Sequence, residues 1–176
     1  IGSALARRLS RGGASLVLLG RSMERLAPLA SELGAEAVAA DAAQPDELER
    51  AVASLGSFQG IVNCAGSILL KPAHLTSEAE WHQTIQANLT TAYSTVRAGA
   101  KALMQGGGSI VLCSSAAART GLANHEAVAA AKAGVIGLTL SAAATYAGRN
   151  IRVNCVAPGL TDTPLAARIT SNEAAL

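Results

Sequence analysis

The chain has 176 residues, of which 50% are hydrophobic, 15% charged and 2% aromatic, and its formal net charge is +2. This length suits one well-buried domain and is short for two. So small a charge, carried by scattered Lys and Arg, argues against nucleic acid or an anionic membrane as the partner.

The cysteine and hydropathy patterns predict a cytoplasmic protein. Cys64, Cys113 and Cys155 lie in apolar, strand-like runs, which suits buried thiols in a reducing compartment. No signal-peptide pattern opens the chain. Polar residues interrupt the uncharged run 51–70, so it predicts a helix end, a turn and a buried strand, and 133–148 predicts a buried helix. We expect no membrane span.

Apolar runs alternate with helical stretches along the whole chain. The predicted strands are 14–19, 37–40, 60–64, 109–113 and 151–156. Their nearly continuous apolar character predicts parallel strands covered on both faces. Pro45 and the capping box that begins at Ser77 mark two helix starts. The pattern predicts a doubly wound α/β domain with helices on both faces of a parallel sheet and an aliphatic core.

Candidate site residues follow the strands, because ligands of doubly wound sheets lie beyond the strands' carboxyl ends. After the first predicted strand, Gly20 leaves room and Arg21 offers a cation for a 2′-phosphate; the alternative is a solvated residue at a helix start. Asp41 follows the second strand, where an isolated Asp is commonly a helix N-cap or a turn residue. Asn63 is expected to hydrogen-bond across strands, and the small Ala65 and Gly66 to let the backbone approach a cofactor.

Polar residues in apolar surroundings mark the second half of the chain. Asn88 lies mid-helix, where an Asn is unfavourable, so it is either functional or an exposed helical residue. Ser114 and Ser115 end a strand. Lys132 is a lone cation in an Ala-rich helix, which is costly to bury without partners; the alternative is a lysine that reaches solvent.

These motifs together resemble the short-chain dehydrogenase/reductase family over essentially the whole chain. Residues 63–66 resemble its Asn-Asn-Ala-Gly signature with Cys64 in place of the second Asn, and residues 154–163 resemble its loop behind the nicotinamide. The family's Ser-to-Lys interval fits Ser115 and misses Ser114 by one. The resemblance implies a Rossmann-like fold and NADP(H), with NAD(H) as the alternative. The cofactor-binding residues it implies are Gly2, Arg21, Asp41, Asn63, Ala65, Gly66, Lys132, Pro158, Gly159 and Thr163.

The resemblance also implies catalytic roles. Ser115 would polarise the substrate oxygen, Lys132 would hold the nicotinamide ribose, and Asn88 would hold a relay water. Val128 stands where the family has its proton-donating tyrosine, and neither Tyr93 nor Tyr146 is followed four residues later by a lysine. His125 is a candidate substitute, since it stands three positions before Val128 and seven before Lys132, which predicts one helical face. No metal is implied.

We therefore expect an NADP(H)-dependent oxidoreductase that acts on a carbonyl/alcohol pair, similar to the family's oxoacyl and small ketone reductases. The alternative is an NADP(H)-binding sensor or scaffold without turnover. The family implies a homo-oligomer, a dimer or a tetramer. The family's first strand, most of its phosphate loop and its last strand have no counterpart here, so we expect the sequence to be an excerpt of a longer polypeptide. An intact mass near 17.6 kDa would contradict this.

Overall fold

In a computed structural model that describes residues 1–167, short parallel strands alternate with helices. The strands are β1 (Val17–Gly20), β2 (Glu36–Ala39), β3 (Gly60–Asn63), β4 (Gly108–Cys113) and β5 (Ile151–Val156). The α-helices are α1 (Gly2–Arg11), α2 (Met23–Leu33), α3 (Pro45–Ala53), α4 (Glu78–Ile85), α5 (Thr91–Leu103) and α6 (Glu126–Tyr146). A π-helical segment, Gln86–Thr90, joins α4 to α5. All five predicted strands are present, and every pairing is parallel.

Helix starts follow local chemistry. Pro45 occupies the first turn of α3, where its missing N–H breaks no hydrogen bond. The Ser77 hydroxyl accepts from the Glu80 backbone N–H while the Glu80 carboxylate accepts from the Ser77 N–H, which confirms the capping box at α4. Both sites had been predicted as helix starts.

The strands form two hydrogen-bonded sheets, β1-β2 and β3-β4-β5. Within residues 1–167 neither β1 nor β3 pairs with a strand on its other side. The prediction that every strand is covered on both faces is wrong for two strands, because Val62 of β3 is 41% exposed and the residues of β1 are only half-buried. An open edge leaves the nearby sheet surface within reach of solvent.

The main core lies between β3-β4-β5 and the helices α5 and α6. Ile110 and Leu112 of β4 are fully buried and pack in one cluster with Val135 of α6. Burying each such side chain contributes about 1.5–3 kcal/mol. Gly99 brings α5 close to the sheet, since a Cβ there would lie 2.8 Å from Ile61 Cγ2. The core is aliphatic, as predicted.

Helix α6 belongs to this core. With its 3₁₀ extension it spans 24 residues, 126–149, and is long and apolar enough, by length and composition alone, to cross a membrane. Its buried residues recur every three or four positions and so form one face, which packs on β4 and β5. We assign it as the core helix of an α/β domain.

Candidate active site

A groove of about 510 Å³ runs along the carboxyl ends of β1, β2 and β3. Four of its lining residues were predicted from the sequence: Arg21, Asp41, Ala65 and Gly66. Others were not, namely Ser67, Glu80, Gln83 and Thr84. Ser67 was recognisable as a polar residue just beyond a strand, whereas the α4 residues enter the groove only through tertiary packing.

The residues that follow the carboxyl ends of β1 and β2 carry opposite charges: Arg21 follows β1 and Asp41 follows β2. Arg21 is exposed, and within residues 1–167 its guanidinium makes no hydrogen bond or ion pair. Asp41 Oδ1 accepts from the Ala43 backbone N–H at 2.9 Å, which is the turn role considered for it. Asp41 and Arg21 both line the groove.

The side chain of Asn63 joins β3 to α5 by hydrogen bonds. Its amide nitrogen donates to the Thr91 carbonyl and to Thr95 Oγ1, each at 2.8 Å, and its Oδ1 accepts from the Ala65 N–H at 2.8 Å. The prediction that it bonds across strands is wrong, because its side chain lies on the helix-covered face of β3. Asn63 is buried and shapes the turn that carries Ala65 and Gly66.

Gly66, Asn88 and Lys132 meet at one point. A Cβ on Gly66 would lie 2.8 Å from Asn88 Oδ1 and 3.3 Å from Lys132 Nζ. No side chain larger than hydrogen fits there without displacing one of these groups. Gly66 is thus where the groove meets the interior lysine.

Asn88 lies in the π-helical segment and is buried. Its Nδ2 donates to the Thr84 carbonyl at 2.9 Å and to Ser67 Oγ at 3.1 Å, and its Oδ1 accepts from the Ser67 N–H at 3.2 Å. The alternative of an exposed helical Asn is wrong. The side chain ties the disturbed helix to the loop after β3.

Lys132 is buried, with 8% of its surface exposed. Its Nζ donates to the Cys113 carbonyl at 2.8 Å, so the alternative of a lysine reaching solvent is wrong. Burial lowers the pKa of Lys132, while the nearby thiols of Cys113 and Cys64 act in the opposite direction. The lysine is a desolvated cation at the carboxyl end of β4.

The two serines after β4 have different surroundings. Ser114 is buried and its hydroxyl donates to the Lys132 backbone carbonyl at 2.8 Å, so it anchors α6. Ser115 is half-buried, and its hydroxyl accepts from the Ala117 N–H at 3.2 Å. The hydroxyl hydrogen of Ser115 thus remains free to donate, as a substrate-facing serine requires.

Val128 is buried one helical turn before Lys132. His125 precedes the first helical residue, Glu126, and has non-helical backbone angles. Its carbonyl accepts from the Ala129 N–H at 2.7 Å, as in a helical turn, and the expectation that it shares the face of Val128 and Lys132 stays a prediction. Its Nδ1 lies 2.7 Å from the Ala123 carbonyl, a contact that requires a proton on Nδ1 and leaves Nε2 of the neutral ring as an acceptor.

The remaining predicted residues surround this centre. The Pro158 carbonyl accepts from the Ala116 N–H at 2.9 Å, which places the loop after β5 beside Ser115. Thr163 Oγ1 accepts from the Ala166 N–H at 3.3 Å, and Gly159 is exposed. Gly2 begins α1 next to the end of β3, where a Cβ on it would lie 3.3 Å from Cys64 Cβ.

The predicted residues therefore form a connected path rather than one common lining. Arg21, Asp41, Ala65 and Gly66 line the groove, and Lys132 touches Gly66 from inside. Ser115 and the loop after β5 connect to Lys132 through Cys113 and Ser114. Within residues 1–167, His, Cys, Asp and Glu form no cluster of three that could hold a metal ion.

Comparison with known proteins identifies the chain's relatives. A family model described as enoyl-(acyl carrier protein) reductase matches residues 1–176. The solved structure of a short-chain type dehydrogenase/reductase from Mycobacterium ulcerans aligns with this chain with a TM-score of 0.94 and 30% sequence identity. The alignment covers 99% of this chain and 68% of that protein. The chain belongs to the short-chain dehydrogenase/reductase family.

Other members of the family are similar over the same span. Cis-4-hydroxycyclohexanecarboxylate dehydrogenase from Sinomonas cyclohexanicum is 38% identical over 98% of this chain and 73% of its own length. A gluconate 5-dehydrogenase from Burkholderia cenocepacia, solved in complex with NADP and tartrate, aligns with a TM-score of 0.94 and 27% identity over 99% of this chain and 72% of its own. The relatives are named oxidoreductases of the dehydrogenase/reductase type, and the Rossmann-like fold is confirmed.

Proposed function

We propose that this short-chain dehydrogenase/reductase is an NADP(H)-dependent enzyme, with residues 1–176 as one NAD(P)-binding domain. The observation that carries the proposal is the groove from Arg21 and Asp41 to Gly66, which ends against Lys132. The glycine supports the fit, since it lets the backbone of the groove approach Lys132 closely. The bound nicotinamide would supply or accept the hydride, and the protein would orient it and manage the proton.

Arg21 supports the preference for NADP(H) over NAD(H). Its unpaired guanidinium at the end of β1 suits a 2′-phosphate, and Gly20 puts no carboxylate there to repel one. The relative solved with NADP agrees with this choice. Fluorescence titration with NADPH and NADH tests it: we expect NADPH to bind more tightly, and Arg21→Glu to reverse the order. Equal affinities in the wild type would contradict the preference.

The other residues would divide the site between cofactor and substrate. Lys132 would hold the nicotinamide ribose, with Asn88 and its partners keeping Gly66 in place. Asp41 would meet the adenine. Ser115 would donate its free hydrogen to the substrate oxygen. The other proposed cofactor-binding residues are Gly2, Asn63, Ala65, Pro158, Gly159 and Thr163.

Proton transfer is the open step, because Val128 has no ionisable hydrogen. His125 is the proposed substitute through Nε2, which its Nδ1 contact leaves available. We expect the pH–rate profile of His125→Ala to lose the wild-type limb that reports this group. Identical profiles would remove His125 from the mechanism.

Position 128 separates the enzyme from its alternative, an NADP(H)-binding sensor or scaffold. Val128→Tyr restores the phenol, and Val128→Phe is the matched control that adds the ring without the hydroxyl. We expect the wild type to turn over a ketone and Val128→Tyr to turn over faster than Val128→Phe. NADPH binding without turnover in the wild type would favour the sensor.

The substrate is proposed to be a carbonyl/alcohol pair, as in the oxoacyl and small ketone reductases. The similarity to a dehydrogenase named for a cyclic hydroxy acid adds ring-borne secondary alcohols to the classes worth assaying. A panel of linear ketones, 3-oxoacyl thioesters and cyclohexanone derivatives, assayed for NADPH oxidation, tests the class. No turnover of any member would contradict it.

We also propose a cytoplasmic homo-oligomer, a dimer or a tetramer. A cavity of about 580 Å³ lies between α5 and α6, lined by apolar and polar residues that include Tyr93 and Leu138. Leu140 lies on α6 and is 68% exposed, the highest value among the large hydrophobic residues that the structure describes. The three free thiols fit a reducing compartment.

A further inference from the structure

Two cysteines stand side by side where β3 and β4 end. The strands pair in parallel register with Asn63 opposite Leu112, so the next residues, Cys64 and Cys113, are opposite each other. Adjacent strands lie about 4.7–4.9 Å apart, within the Cα separation of about 4.4–6.8 Å that disulfides have. Since β3 ends at Asn63, Cys64 is the first residue beyond the ladder.

Both thiols lie on the same side of the sheet. Asn63 faces α5 and Leu112 is buried in the main core, so the residues after them face the opposite side. Cys64 is indeed next to α1, with its Cβ 3.3 Å from the Cβ position of Gly2. Cys155 is opposite Leu112 and packs against the main core, away from the pair. Cys64 and Cys113 are free and half-buried, so small reagents reach them.

The lysine links the pair to the site. Lys132 Nζ is 2.8 Å from the Cys113 carbonyl, and its positive charge favours the thiolate of Cys64. Burial and the neighbouring Cys113 act against it and raise the pKa of the Cys64 thiol. Lys132 therefore lies next to both cysteines as well as to Gly66.

We propose that Cys64 and Cys113 form a site of reversible covalent modification, which a small hydroperoxide converts to an intramolecular disulfide. One thiolate attacks the peroxide: an S–O bond forms, the O–O bond breaks, and the alcohol or water leaves with a proton. The second thiol attacks the resulting sulfenic sulfur: the S–S bond forms, the S–O bond breaks, and water leaves. The two sulfurs lose two electrons and the peroxide gains them; a dithiol reverses the change.

Peptide mapping of the purified full chain tests the site without relying on the proposed function. The protein is treated with hydrogen peroxide, its remaining thiols are alkylated, and it is digested without reduction. We expect one cross-linked peptide that joins Cys64 to Cys113 and disappears after dithiothreitol. A dominant cross-link to Cys155, or only sulfenic and sulfinic additions with no cross-link, would overturn the proposal.

Matched variants sharpen the result. Cys155→Ser should keep the cross-linked peptide, while Cys64→Ser and Cys113→Ser should each abolish it. Circular dichroism establishes that each variant is folded, and the wild-type map decides the question if one is not. Loss of the cross-link in Cys155→Ser, with the fold intact, would also overturn the proposal.

Discussion

At the scale of single residues, the site depends on the contact between Gly66, Asn88 and Lys132. The Asn88 amide is fully engaged by Ser67 and Thr84, so its Oδ1 is held where a Cβ on Gly66 would collide with it. A buried amide in this state does not yield easily, because any shift leaves a polar group unpaired. Glycine at position 66 is therefore required by packing as well as by the proposed cofactor.

Gly66→Ala tests this packing. The added methyl must displace Asn88 or Lys132, so the free energy of unfolding should fall by about 1–3 kcal/mol and NADPH affinity should fall with it. Urea unfolding and fluorescence titration measure the two effects. Gly106→Ala is the control, since a Cβ there meets nothing within 4 Å; equal stability loss in both variants would refute the argument.

Lys132→Met tests the cost of burying a cation. Its folded pKa lies below the unfolded value of 10.5, so the folded state disfavours the charge at neutral pH. At pH 7 the free energy of unfolding of Lys132→Met should be about 0.5–2 kcal/mol higher than that of the wild type, and turnover should be lost. Between the folded pKa and 10.5 the unfolded state binds more protons than the folded state, so the stability of the wild type rises with pH. The stability difference between Lys132→Met and the wild type should therefore shrink over this range.

Urea unfolding across pH 7–10 measures this trend. Lys101→Met is the control, because Lys101 is a largely exposed lysine paired with Glu49 and should change stability by less than about 0.5 kcal/mol. A Lys132→Met variant that is less stable than wild type at pH 7 would mean that the Cys113 contact outweighs desolvation.

At the scale of the element, the link from β3 to α4 depends on a few polar contacts. Lys71 Nζ lies 2.8 Å from Glu80 Oε2, and the same carboxylate accepts from the Ser77 N–H at the start of α4. These hydrogen bonds, that of Lys71 first, lower the pKa of Glu80 to about 2. The carboxylate thus binds two segments at one helix end.

Glu80→Gln tests this junction through pH. Because the folded pKa is depressed below 4.5, the stabilisation is complete above pH 4.5 and is lost as pH falls toward 2. The unfolding midpoint of the wild type should therefore fall faster over this window than that of Glu80→Gln. Glu24→Gln, in the first turn of α2, is the control. If the unfolding midpoint of Glu80→Gln fell with pH as steeply as that of the wild type, the stabilising role of the Glu80 carboxylate would be contradicted.

Periodicity and capping were sufficient to predict the five strands, the parallel arrangement and the start of α4, because these depend on local pattern. The partners of Asn63 were not predictable, since Thr91 and Thr95 become its neighbours only when α5 packs on β3. Burial of Lys132 was anticipated from its apolar neighbours, whereas its Cys113 partner was not.

At the scale of the whole molecule, the outer faces of α5 and α6 each expose a large hydrophobic side chain. Tyr93 and Leu140 are both exposed there, although each would gain by burial. A second copy of the chain, as proposed, would cover them.

Leu140→Glu should dissociate the homo-oligomer, because a charge buried at an interface without a partner is strongly unfavourable. Light scattering after size-exclusion chromatography measures the mass. Leu75→Glu is the control: Leu75 is also exposed but lies in the 3₁₀ helix before α4, and its change should leave the mass unaltered. A wild-type monomer would contradict the proposed assembly.

The chain contains one tryptophan, Trp81, between the groove residues Glu80 and Gln83 in sequence and 40% exposed. Its emission therefore has a single source, positioned on the helix that borders the groove. Reduced nicotinamide absorbs in the range where indole emits, so excitation energy can pass from Trp81 to a bound dinucleotide. Trp81 emission can therefore report binding of a reduced dinucleotide in the groove in real time, without any attached dye.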